Sequence, residues 1–183
     1  MRWVKYKQVI ENFFSLSILN ALNVLLPLVT LPYMLHVVGK ANYGAYSYVY
    51  AVVQYVILFS TYGFNFSATK QISQCRDDKE KVSKIYNAVT ASKTLIALSL
   101  SVLLLLCAKL VFKDGVGTLM FVYGLGMVIG DVLTPIWLFQ GMEKMKYMTI
   151  VNASSKILFT ILIFIVVRAS EDYQLLILLN SCG

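Results

Sequence analysis

Acidic side chains are scarce in this chain, nine Asp and Glu against sixteen Lys and Arg, and His36 is the single histidine. Charged residues of either sign make up only 14% of the whole, which excludes an ordinary soluble domain. No nucleophile elbow, phosphate loop, zinc-protease pair or ferredoxin-type cysteine run is present, so no enzyme, no metal site and no cofactor are expected. Cys75, Cys107 and Cys182 are odd in number and lack paired or metal-ligand spacing, which excludes a disulfide framework and a zinc site. Asn65-Phe66-Ser67 and Asn152-Ala153-Ser154 match the glycosylation sequon, but both lie within or beside apolar runs where no sugar can be attached.

What the chain does have is apolar length. Hydrophobic residues are 58% of the sequence and mean hydropathy is strongly positive, so the useful count is of stretches of about 20 apolar residues. Five fit, at roughly 12–38, 43–68, 88–112, 118–139 and 148–167, with an incomplete sixth at 175–183. The expected fold class is an all-α membrane protein, a polytopic helical bundle of five complete transmembrane helices and the start of a sixth. The first run follows Arg2, Lys5 and Lys7 but is too long for a cleaved leader. It contains Pro27 and Pro32, which remove backbone donors and predict a bend. The polar segment from Thr69 to Lys84 reads as a solvated, partly helical loop, and Lys113-Asp114-Gly115 as a turn. The sixth stretch reaches only about 13 Å against a hydrocarbon core of about 30 Å, which predicts missing sequence beyond it.

Cytoplasmic loops collect Lys and Arg. With the N-terminus inside, the inner segments hold Arg2, Lys5, Lys7, Lys70, Arg76, Lys79, Lys81, Lys84, Lys144 and Lys146, against Lys40, Lys109, Lys113 and Arg168 outside. A cytoplasmic N-terminus is therefore expected. Because these cations lie between apolar runs and the aromatics lie within or at the ends of them, nucleic-acid binding is not expected.

Ionisable groups at membrane depth are costly and usually face a cavity or a partner. Lys93, Asp131 and Lys156 qualify, each about 8 to 12 Å above the inner interface by helical rise. Asp131 and Lys156 lie on consecutive antiparallel spans and are expected to pair, which leaves Lys93 as an inward-facing cation able to attract an anionic group. The alternative is a structural ion pair with Lys93 snorkelling to the interface. In span one Asn20, Asn23, Pro27 and Thr30 share a face, and in span two so do Tyr43, Ser47, Tyr50, Gln54 and Thr61. Asn20, Asn23, Tyr50 and Gln54, with Asn152 of span five, are candidate cavity-lining groups for a saccharide; interhelical hydrogen bonding is the competing explanation. Gly126 and Gly130 form a small-residue pair read as helix packing. His36, near the outer end of span one, is read as an interfacial side chain.

Three segments carry a family resemblance. Leu31-Pro32-Tyr33 with Gly39 and Tyr43-Gly44 is one, and Tyr62-Gly63-Phe64 with Ser67-Ala68-Thr69-Lys70 and Arg76-Asp77 is the second. The third and most specific is Trp137-Leu138-Phe139-Gln140-Gly141-Met142-Glu143, followed by Lys144 and Lys146. They resemble the polysaccharide flippases of O-antigen type, within the multidrug, oligosaccharidyl-lipid and polysaccharide exporter superfamily. His36 stands where many members have arginine. The resemblance implies twelve to fourteen helices in two bundles around a cavity, with alternating access moving a lipid-linked oligosaccharide of isoprenoid-pyrophosphate type outward across the bacterial inner membrane. It implies contact with membrane lipids, a polysaccharide polymerase and a chain-length regulator. Two rivals remain: an ion-coupled multidrug exporter using Asp131 as its coupling carboxylate, and a truncated remnant that transports nothing.

Overall fold

The computed structural model describes residues 2–112 and 116–182, and the side chains of these except at 2–12, 15, 16, 19, 116 and 182. The turn expected at 113–115, the side chains of Arg2, Lys5, Lys7 and Cys182, and the end of the sixth stretch at Gly183 lie outside the described residues. Eight α-helices and no strands occur among the described residues: α1 (Arg2–Val37), α2 (Lys40–Thr61), α3 (Phe64–Gln74), α4 (Lys79–Val111), α5 (Val116–Leu133), α6 (Ile136–Gly141), α7 (Met145–Val166) and α8 (Tyr173–Cys182). A 3₁₀ turn, Ser170–Asp172, precedes α8.

Among the described residues five segments are long and apolar enough to cross a membrane: Asn20–Val37, Lys40–Gln74, Lys79–Val111, Gly117–Gly141 and Met145–Val166. The expected five-span, all-helical membrane protein is thus the architecture found, with α8 beginning the sixth run. The chain passes repeatedly between an upper end, with the turns around Gly39 and Arg168, and a lower end holding α3, α6 and the start of α4. Apolar side chains such as Leu106, Leu110 and Leu133 stay outward, as lipid-facing helices require.

Two spans are broken near the lower end, and each break has a local cause. Between α2 and α3, Tyr62 and Gly63 take φ of 27° and 79°, left-handed values that glycine tolerates best. Between α5 and α6 the cause is Pro135, which has no N–H to continue the ladder. By contrast α1 runs unbroken through Pro27 and Pro32, although the carbonyls of Asn23 and Leu28 lose their intrahelical donors there.

The segment 69–84 is far more helical than its polarity suggests: only Cys75–Asp78 separates α3 from α4. Asp78 caps α4 by accepting the Lys81 backbone N–H at 3.1 Å, and Glu80 pairs with Lys84 at 2.7 Å one turn on. Ala68 and Ile72, four apart on α3, bury one face of that helix against Trp137 of α6. This platform faces water at its rim, so burial drives it; covering Ile72 and Trp137 contributes about 2 kcal/mol each.

Inside the bilayer apolar area gives no such drive, and close backbone approach takes over. A Cβ on Gly124 would sit 2.8 Å from Val53 of α2, and one on Gly126 would sit 2.7 Å from Ser181 of α8. Nothing lies within 4 Å of a Cβ at Gly130. The packing pair is therefore Gly124 and Gly126, because α5 is wedged between α2 and α8 on neighbouring faces. In contrast, α7 lies along α1.

Candidate functional site

The membrane-depth ionisable groups fall into two clusters rather than one. Lys93 of α4 is buried, and its Nζ lies 2.9 Å from Asp131 Oδ2 of α5. It also donates a hydrogen bond of 2.9 Å to the Asp131 backbone carbonyl. That carbonyl should receive the N–H of residue 135, which is proline. Lys93 supplies the missing donor and places a cation at the C-terminal end of a helix, where the dipole favours it. The carboxylate contact is ionic: Oδ2 is buried without a directed hydrogen bond, while the directed bond goes to the carbonyl.

The expected pairing of Asp131 with Lys156 is therefore corrected. Asp131 pairs with Lys93 because α4 packs on α5, whereas α7, the span that follows α5 and α6, packs on α1. Lys156 instead donates to Asn23 Oδ1 of α1. No carboxylate pairs with Lys156 among the described side chains, so the unneutralised cation at membrane depth is Lys156, not Lys93.

The remaining candidates divide between glue and open surface. Thr30 is buried with its hydroxyl donating to the Pro27 carbonyl of its own helix at 3.3 Å, so the interhelical bond of the α1 stripe is the one at Asn23. Asn20 is exposed on the same helix, and Asn152 is half-buried on α7. On α2, Gln54 is half-buried and Tyr50 is 38% exposed, with its ring 6.0 Å from that of Tyr46. Tyr43 stacks on Tyr46 from the other side at 5.6 Å. His36 is exposed, in keeping with an interfacial role.

Two residues escaped the sequence reading. Asn180 of α8 donates to the buried Tyr46 hydroxyl at 2.8 Å, joining two helices far apart in the chain. Pro135 was visible four residues after Asp131, and that spacing alone could have revealed an orphaned carbonyl needing a donor.

The three motif segments occupy the two ends of the bundle. At the upper end the Tyr33 hydroxyl donates to the Val167 carbonyl at 2.8 Å, and Asn42 to the Ser170 carbonyl at 3.0 Å. At the lower end Thr69 donates to the Trp137 carbonyl at 3.2 Å, and Arg76 pairs with Glu143 at 2.6 Å. Gly141 lies so close to Ile72 that a Cβ would be 2.7 Å away.

Residues 9–183 match the family model described as "Polysaccharide biosynthesis protein". The chain belongs to this family. It is 34% identical over 162 residues to a protein of Escherichia coli K12 named "Putative O-antigen transporter", covering 88% of this chain and 39% of that protein. A protein of the same name from Shigella dysenteriae is 28% identical over 174 residues, covering 94% of this chain and 43% of the relative. The chain thus spans about two fifths of the length of these relatives. No solved structure matches it. Within this O-antigen-type polysaccharide family, the end contacts give the resembling segments a physical role: they fasten α1 to α7 above and α3 to α6 below.

Proposed function

We propose that this chain forms the first helical bundle of a multi-pass transporter of the bacterial inner membrane. The cargo is an isoprenoid-pyrophosphate-linked oligosaccharide carried outward for cell-surface polysaccharide assembly. The chemistry is transport, without bond making. The N-terminus and the lower platform face the cytoplasm, where the cation-rich segments belong.

The observation that carries this reading is Lys156, a cation at membrane depth held by neutral Asn23 and by no carboxylate among the described side chains. A pyrophosphate entering from the inner leaflet gains a charge-assisted contact there, and the relatives' name supplies the cargo class. The pairing of Asp131 with Lys93 weighs against the ion-coupled multidrug alternative, since a coupling carboxylate must be free to exchange a proton. Polysaccharide polymerase and chain-length regulator remain the proposed partners.

The test is complementation of a flippase-deficient strain by the complete gene. Lys156→Gln should abolish surface polysaccharide at normal membrane levels of protein, and Lys156→Arg should retain part of it. Full surface polysaccharide with Lys156→Gln refutes the assignment.

A further inference from the structure

Apart from the membrane-depth lysines, the lower platform contains a recess of about 280 Å³ where the α3–α4 link, α4 and the α6 region meet. Its rim carries two cations, Arg76 and Lys79, and its wall two hydroxyl groups, Ser83 and Tyr86. Val82, Leu138 and Met142 make the rest apolar. Along α4 the sequence Lys79, Val82, Ser83, Tyr86 therefore runs from charge through hydroxyls to an aromatic ring over two turns, in step with the passage from water to acyl chain.

The cations are incompletely used. Arg76 gives one guanidinium nitrogen, Nη2, to Glu143, while its buried Nε has no hydrogen-bond partner. Lys79 is exposed and makes no ion pair with a described carboxylate, unlike its neighbours Lys81 and Lys84, which bond to Asp78 and Glu80. A buried N–H without an acceptor is costly, and an oxygen-rich anion in the recess would satisfy it. Tyr86 also lines a second open groove with Asn87, Thr90, Ala91, Thr94 and Leu95, so the recess continues up the side of α4.

We propose that this recess binds the phosphate of an anionic phospholipid, with Arg76 and Lys79 on the phosphate, Ser83 and Tyr86 on the ester and glycerol oxygens, and an acyl chain along the α4 groove. The volume and the polar-to-apolar gradient fit a headgroup attached to a chain better than a fully hydrated ion. The site is separate from the Lys156–Asn23 contact and does not depend on the cargo proposed above. Its occupant links the turn between α3 and α4, and α4 itself, to α6, so it stabilises the platform.

The test is native mass spectrometry of the full-length detergent-purified protein with phosphatidylglycerol, phosphatidylcholine or inorganic phosphate as probe. Phosphatidylglycerol should bind at least fivefold more tightly than phosphatidylcholine. Lys79→Gln should reduce its binding about fivefold, the effect of one cation at a lipid surface. Ser83→Trp, which fills the recess from an exposed position, should abolish the preference with the fold intact by circular dichroism. Equal binding of the two lipids, or binding unchanged in both variants, overturns the proposal. Competition by millimolar inorganic phosphate overturns the lipid assignment in favour of a soluble phosphate ligand.

Discussion

Replacing Lys93 with Met keeps the length of the side chain and removes two contacts at once, the ion pair with Asp131 and the hydrogen bond to its carbonyl. Breaking a buried pair from one side costs about 3 to 5 kcal/mol. Asp131 keeps 25% of its side chain exposed, so water recovers part of this, and we expect about 2 to 3 kcal/mol. That is a change of roughly 30- to 150-fold in the unfolding equilibrium. The assay is reversible SDS unfolding of the full-length protein in mixed micelles, followed by the fluorescence of Trp137, which is 2% exposed. Two double variants separate the contacts. Lys93→Met with Asp131→Leu removes the orphaned charge and should recover most of the loss. Lys93→Met with Pro135→Ala restores an N–H for the Asp131 carbonyl and should recover about 1 kcal/mol, one hydrogen bond's worth. A Lys93→Met variant as stable as wild type, or no recovery with Pro135→Ala, would refute the idea that this lysine completes a proline-broken helix.

Gly141→Ala places a methyl 2.7 Å from Ile72 and should cost about 1 to 3 kcal/mol by the same unfolding assay, whereas Gly130→Ala meets open space and should be nearly neutral. Tyr33→Phe loses the bond to the Val167 carbonyl, and a loss of about 1 kcal/mol should be measured. Asp172 accepts the backbone N–H groups of Arg168 and Ala169, and these bonds hold its carboxyl below the usual carboxylate range. A lowered folded value gives stability above the unfolded value of about 3.9 that is lost as pH falls through the folded value. The stability gap between wild type and Asp172→Asn should therefore be constant from neutral pH to about 5 and close below about 4.

The fold class was legible because twenty-residue apolar runs have few alternatives in a polar-poor chain. The breaks at Gly63 and Pro135 were legible as residues but not as structure, since hydropathy runs through them without interruption. The helicity of 69–84 was hidden because charge suggested solvent, while the Asp78 cap and the spacing of Ala68 and Ile72 carried the helix signal. At the candidate site the residue types were readable and the partnership was not. Lys93, Asp131 and Lys156 have similar depth, but pairing depends on which helices touch, and although their spans are consecutive, α7 docks on α1 while α5 packs on α4.

The glycine-packing expectation held at Gly126 and failed at Gly130. Gly126 and Gly130 fit a familiar spacing, yet the close approaches to other helices are at Gly124 and Gly126, because these two faces of α5 meet α2 and α8. Glu143 is a further case. It takes φ of 55° at the end of α6, where Lys144 and Glu143 donate back to Phe139 and Gln140 in a Schellman turn that usually has glycine. The Arg76 partner at 2.6 Å explains why a carboxylate occupies that strained position.

The most direct measurement of the central claim is translocation by the full-length protein in proteoliposomes loaded with a fluorescent isoprenoid-pyrophosphate-linked oligosaccharide. The label should become accessible to a membrane-impermeant quencher on the opposite face within minutes, and Lys156→Gln should slow this at least tenfold. No translocation above empty liposomes, or translocation undiminished by Lys156→Gln, would contradict it.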